Sequence, residues 1–250
     1  MAEFVIFGGT TEGRALADCL SRHRRSALVC VATQYGDALL SPGPFVGVHT
    51  GRLDETGMEE LLRREAPSAV IDATHPFALQ VSRTIRAVCA GMGLRLITLA
   101  RERVSTDGCR AFSGMEALLA WLDETGGVIF STLGAKEAAA LASVRGAAER
   151  IWLRILPFEE SLTLVRGAGF PAKHIICMQG PFSTELNAAM FRAAGASILL
   201  TKDSGPAGGL AEKLEAARQC GMTVALLARP EAGDGVALKD LLCQIEEGSL

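Results

Sequence analysis

The chain has 250 residues, 49% of them hydrophobic and 21% charged, enough apolar material for one large or two modest domains and too much for a disordered chain. A net charge of −3, with lysines and arginines dispersed along the chain, argues against a nucleic-acid partner. The seven cysteines form no C-x-x-C pair and fall mostly inside apolar runs, so they read as small buried hydrophobes in a reducing compartment. With no signal-peptide pattern and no run near the ~20 apolar residues of a membrane span, a soluble cytoplasmic protein is expected.

In chain order, short apolar, β-branched runs recur at nearly even spacing: Phe4–Phe7, Ala27–Ala32, Phe45–Val48, Ala69–Ile71 and Leu94–Leu99. After a gap come Val128–Phe130, Ile151–Ile155, Ile175–Met178, Ile198–Leu200 and Val224–Leu227. Segments of helical period separate them, clearest at 58–65, 81–88, 186–193 and 210–217. Such alternation predicts an α/β protein with parallel sheets. The rhythm breaks over the polar stretch from Arg101 to Gly114, before a helix around Met115–Glu124. The expected division is therefore a first domain over 1–100, a connecting segment over 101–114 and a second domain over 115–250, with five strands on each side. A single β/α barrel is the weaker alternative.

The unusual chemistry follows the apolar runs. In Gly8-Gly-Thr-Thr-Glu-Gly-Arg14 the glycines allow close backbone approach, and a helix start supplies outward amides and a positive dipole end. Gly9, Thr10, Thr11 and Arg14 are thus candidates for holding a phosphate, against the plainer reading of a tight turn with a threonine cap. Glu12 would repel that phosphate and is expected to face away. At the second strand end, where NAD enzymes carry an acidic ribose ligand, the chain reads Ala32-Thr33-Gln34-Tyr35. Thr33, Gln34 or Arg52 could meet a 2′-phosphate, which favours NADP over NAD and S-adenosylmethionine. Thr50-Gly51-Arg52 and Thr74 complete the cofactor candidates.

Asp72-Ala-Thr-His-Pro-Phe-Ala78 follows the fourth run. Pro76 restrains His75 to extended geometry and is expected to start a helix, so that the imidazole projects as a donor or acid. In the second half, Lys202 and Asp203 of Thr201-Lys-Asp-Ser-Gly205 could meet a substrate carboxylate or transfer a proton, or could simply form an ion pair at a turn. Ser183 in Gln179-Gly-Pro-Phe-Ser183 belongs to the same class of strand-end loops and is a plausible N-cap. No metal-ligand spacing and no nucleophile elbow is read from the sequence. Two domains whose strand ends face one another would enclose a ligand cleft.

Together, and in this order, Gly8–Arg14, Asp72–Ala78, Gln179–Ser183 and Thr201–Gly205 resemble the precorrin-6A reductase family of cobalamin biosynthesis. The resemblance implies two Rossmann-like domains with the ligand cleft between them and NADPH-dependent reduction of precorrin-6A to precorrin-6B. Hydride enters a conjugated macrocycle directly, so neither nucleophile nor metal is required, only alignment and a proton. His75 and Asp203 are the candidate catalytic residues. The implied substrate carries many carboxylates, for which Lys136, Arg154, Ser183, Lys202 and Arg229 are the candidate ligands.

Overall fold

The computed structural model describes residues 1–32, 43–100, 104–229 and 235–250. Among the described residues twelve strands run β1 (Phe4–Phe7), β2 (Ala27–Val31), β3 (Val46–Thr50), β4 (Ala69–Asp72), β5 (Leu96–Ala100), β6 (Arg110–Phe112), β7 (Ile129–Ser131), β8 (Ile151–Ile155), β9 (Ile175–Cys177), β10 (Ile198–Lys202), β11 (Thr223–Leu227) and β12 (Val236–Ala237). The α-helices among the described residues are α1 (Thr11–Arg22), α2 (Glu55–Glu65), α3 (Leu79–Met92), α4 (Met115–Glu124), α5 (Ala138–Leu141), α6 (Ala147–Arg150), α7 (Glu159–Gly167), α8 (Thr184–Ala193), α9 (Leu210–Gln219) and α10 (Leu238–Glu246).

Two six-stranded parallel sheets result, which disposes of the single barrel. One is ordered β3-β2-β1-β4-β5-β12 and the other β9-β8-β7-β10-β11-β6. The first reproduces the doubly wound order 3-2-1-4-5-6 of dinucleotide-binding folds, and the second shares its 3-2-1-4-5 core over β7–β11 but takes its sixth strand, β6, from ahead of that core in the chain, so both are Rossmann-like. The compact units are Met1–Glu102 with Glu231–Leu250, and Arg103–Pro230.

That division differs from the expected one in two places. Residues 231–250, expected in the second domain, return to the first: β12 pairs with β5 through Val236 opposite Leu99 and Ala237 opposite Ala100. Leu241 and Ile245 of α10 then join Leu16 and Leu20 of α1 in one buried cluster. The segment 101–114, expected to connect, contributes the edge strand β6, whose Ala111 lies opposite Leu226 of β11. Both added strands are only two or three residues long, and a two-residue edge strand leaves no apolar run to recognise.

In the first unit the period-2 alternation of β1 sends Phe4 and Ile6 to the face covered by α1 and α10, and Val5 and Phe7 to the face with Met58, Leu62, Ile85 and Cys89 of α2 and α3. Burial on both faces is why β1, β2 and β4 read as continuous apolar runs. The second unit packs Phe130, Phe191, Leu199, Ala216 and Ala217 together, with Phe130 and Phe191 edge to face at 4.9 Å. All seven cysteines are free, but only Cys19, Cys30 and Cys89 are buried; Cys177 and Cys243 are exposed, against the expectation of buried hydrophobes. Among the described residues no helix is long and apolar enough to cross a membrane.

Candidate active site

The topological switch point of the first sheet lies between β1 and β4, where a doubly wound fold opens a crevice at its strand ends. Gly8 leaves β1 with φ +143°, and a Cβ there would stand 2.3 Å from the Ala73 carbonyl oxygen. Only glycine fits so close an approach of two backbones at a positive φ. Thr10 then closes the turn: its hydroxyl donates to Ala73 O at 2.9 Å and accepts from Gly13 N at 3.2 Å, capping α1. Gly9 is exposed at the tip, beside the positive end of the α1 dipole. Arg14 folds back over this tip, donating to Gly9 O at 3.4 Å and to the Thr11 hydroxyl at 3.0 Å. Gly9, Thr10, Thr11 and Arg14 are thereby gathered into one turn.

Asp72 ends β4 and is buried. One of its oxygens accepts from the Thr74 backbone N–H at 3.0 Å and from the Thr74 hydroxyl at 2.6 Å, and Thr74 Oγ1 lies 2.8 Å from Ser82 Oγ on α3. The next residues form a tight turn in which Ala78 N donates to His75 O at 2.8 Å. Pro76 therefore occupies the second position of a β-turn, where its fixed φ suits, and the helix begins three residues later at Leu79 rather than at the proline. His75 is exposed, and its Nδ1 accepts from Phe77 N at 3.3 Å. That bond assigns the neutral ring's proton to Nε2. Thr50 ends β3 and is exposed, Gly51 follows at φ +144° with its N–H on Val31 O at 2.9 Å, and Arg52 is exposed. Thr33 and Gln34 lie outside the described residues.

The second sheet switches between β7 and β10. Thr132 N donates to Leu200 O across this point at 2.8 Å. Two ion pairs gather the candidates at the ends of β10 and β11. Lys202 Nζ meets Glu137 at 2.9 Å, and Arg229 Nη2 meets Asp203 Oδ1 at 3.3 Å, all four side chains being largely buried. Lys136, the neighbour of Glu137, is exposed. Ser183 caps α8, accepting from Leu186 N at 3.3 Å.

Arg154 departs from its expected role as a substrate ligand. It is 7% exposed, its guanidinium donates to Asn187 Oδ1 at 2.7 Å and it stacks 4.4 Å from the Phe182 ring centroid. Its position on β8 directs it under α8, and burial pushes its pKa down to about 10. Close by, burial pushes Lys213 on α9 down to about 8, with the Arg154 charge acting in the same direction. Lys213 was not singled out from its sequence, because Leu-Ala-Glu-Lys at a helix start ordinarily exposes its lysine.

Sequence reasoning also passed over Asp72, Ser82 and Glu137. The Asp72-x-Thr74 spacing is an Asx-turn signal that could have identified Asp72 as organiser of the loop. Ser82 and Glu137 meet their partners through tertiary folding, which leaves no local mark.

The family model described as Precorrin-6x reductase CbiJ/CobK matches residues 3–246. The chain is 34% identical over 232 residues to a cobalt-precorrin-6A reductase of Methanothermobacter thermautotrophicus, covering 91% of this chain and 76% of that one. It is 31% identical over 242 residues to a precorrin-6A reductase of Mycobacterium tuberculosis, covering 96% and 94%. A solved structure titled CobK precorrin-6A reductase superposes with a TM-score of 0.78 at 25% identity, over 99% of this chain and 97% of that one. With two sheets of dinucleotide-binding topology, a glycine turn at the first switch point and a match over nearly its whole length, the chain belongs to the precorrin-6x reductase CbiJ/CobK family.

Proposed function

We propose that this protein reduces precorrin-6A to precorrin-6B with NADPH. The observation that carries the reading is the family match over residues 3–246, in which relatives named for precorrin-6A and for cobalt-precorrin-6A both occur. The same fold would serve the cobalt-containing macrocycle, and side-by-side turnover of the two substrates separates the readings.

The first unit fits a phosphate-bearing cofactor in its donor set. Its glycine turn keeps Gly9 exposed at a helix N-terminus, with the Arg14 guanidinium 3.0 Å from the Thr11 hydroxyl beside it. Thr10, Thr50, Gly51, Arg52 and Thr74 stand on neighbouring strand ends, and the absence of an acidic residue over 32–35 supports NADPH over NADH. Glu12, in the first turn of α1, faces away from the phosphates in this reading. NADPH supplies hydride when bound.

The protein's own groups then hold the substrate and deliver a proton. Lys136, Lys202 and Arg229 meet substrate carboxylates, which compete with Glu137 for Lys202. His75 is the favoured proton donor, because the Phe77 N–H on Nδ1 leaves the transferable proton at Nε2. Asp203 already commits one oxygen to Arg229 and acts chiefly by orienting it. In a thermal-shift titration NADPH raises the melting temperature well above the shift given by NADH or S-adenosylmethionine; equal shifts would overturn the cofactor assignment. His75→Ala keeps that NADPH shift and slows single-turnover reduction by about 10²-fold or more, as loss of a general acid does. Unchanged turnover would remove His75 from the chemistry.

A further inference from the structure

On the α1/α10 face of the first unit, the Sγ of Cys19, a ring nitrogen of His23 and a carboxylate oxygen of Glu246 all lie within 4.8 Å of one another. His23, the residue that caps the C-terminus of α1, stands four residues after Cys19 and donates its backbone N–H to Cys19 O at 3.1 Å, so the two side chains lie at neighbouring positions on the end of the helix. Glu246 is the final residue of α10, which packs against α1.

A triangle with sides of at most 4.8 Å has a point within about 2.8 Å of every corner, and zinc bonds to sulfur, nitrogen and oxygen run to roughly 2.0–2.3 Å. Rotamer adjustments of about 0.5–0.8 Å per ligand atom close that difference. No hydrogen bond or ion pair among the described residues ties up any of the three side chains. The ligand types select among cations: a thiolate and an imidazole are poor partners for magnesium or calcium, whereas a Cys/His/carboxylate set suits zinc. One thiolate and one carboxylate also neutralise a divalent charge.

We propose that Cys19, His23 and Glu246 form a zinc site that clips α10 to α1. The three side chains supply three ligands, and the exposure of His23 and Glu246 leaves the fourth position to water. The site joins the start of the chain to its end within the first unit. It sits on helices rather than at the strand ends, so its role is structural, and binding releases the thiol proton.

The test uses tag-free, thiol-reduced protein and cobalt as the spectroscopic stand-in. One equivalent of Co²⁺ gives a thiolate-to-metal charge-transfer band, Zn²⁺ bleaches it, and Zn²⁺ raises the melting temperature until a chelator is added. Cys243→Ala, which removes the exposed thiol one turn before Glu246, keeps the band, and Cys19→Ala abolishes it. Should Cys19→Ala not fold, the exposed positions carry the test: His23→Ala and Glu246→Gln each weaken Zn²⁺ affinity by at least about tenfold, a loss that even outer-shell partners can cause. Absence of the band in the wild type, its survival in Cys19→Ala, or unchanged affinity in both exposed variants overturns the site.

Discussion

Gly8 carries the tightest constraint on the candidate site. A methyl group there meets the Ala73 carbonyl at 2.3 Å while φ is +143°, so Gly8→Ala must part the β1 and β4 loops. The expected loss is at least about 2 kcal/mol of stability in chemical denaturation, together with the NADPH-induced shift. Lys213 offers a pH test. Its pKa is lowered from 10.5 to about 8 in the folded protein. Below about pH 8 both states are protonated and burial of the charge opposes folding; above 10.5 both are neutral and the penalty is gone. The Lys213 contribution should therefore rise with pH between those values, against the opposite trend that Cys30 and Cys89 give above about pH 9, where burial pushes their thiols up to about 12 and 11. Lys213→Met should remove that rise and add on the order of 1–3 kcal/mol at neutral pH, read from denaturation midpoints at pH 7 and pH 10. Equal pH slopes in the wild type and Lys213→Met contradict the burial argument. Strand-end residues such as Thr10, His75 and Lys202 were legible because their chemistry is conspicuous where an apolar run stops. Arg154 shares that conspicuousness, but its position near the end of β8 does not say that α8 covers it.

At the scale of elements, β1, β2, β4, β7, β8, β10 and β11 were legible because burial on both faces makes each an apolar run. The shortest edge strands, β6 and β12, were not: Arg110-Ala-Phe112 and Val236-Ala237 gain their identity from the strands they join, β11 and β5. The start of α3 was displaced because a proline before a helix serves equally as a turn former. The assignment of α10 to the first unit is testable. Leu241→Ala leaves a cavity against Leu16 and Leu20 and should cost about 2–5 kcal/mol. Amide hydrogen exchange should accelerate in α1 and β1 and stay unchanged in α8 and α9. Acceleration confined to α8 and α9 would place the C-terminal helix in the wrong unit.

For the whole molecule, two sheets with the same five-strand core order carry different chemistry at their strand ends. The first brings a glycine turn, hydroxyls and His75 to its strand ends, and the second brings Lys202, Asp203 and Arg229 together through two ion pairs. The exchange of chain that returns 231–250 to the first unit was invisible locally, because parallel pairing at so long a separation has no sequence period to reveal it. The central claim is catalytic and is tested most directly by anaerobic incubation with precorrin-6A and NADPH, following nicotinamide absorbance and macrocycle absorbance together. One NADPH should be oxidised for each macrocycle that loses a conjugated double bond, with NADH much slower. Macrocycle binding without oxidation of NADPH would contradict the account.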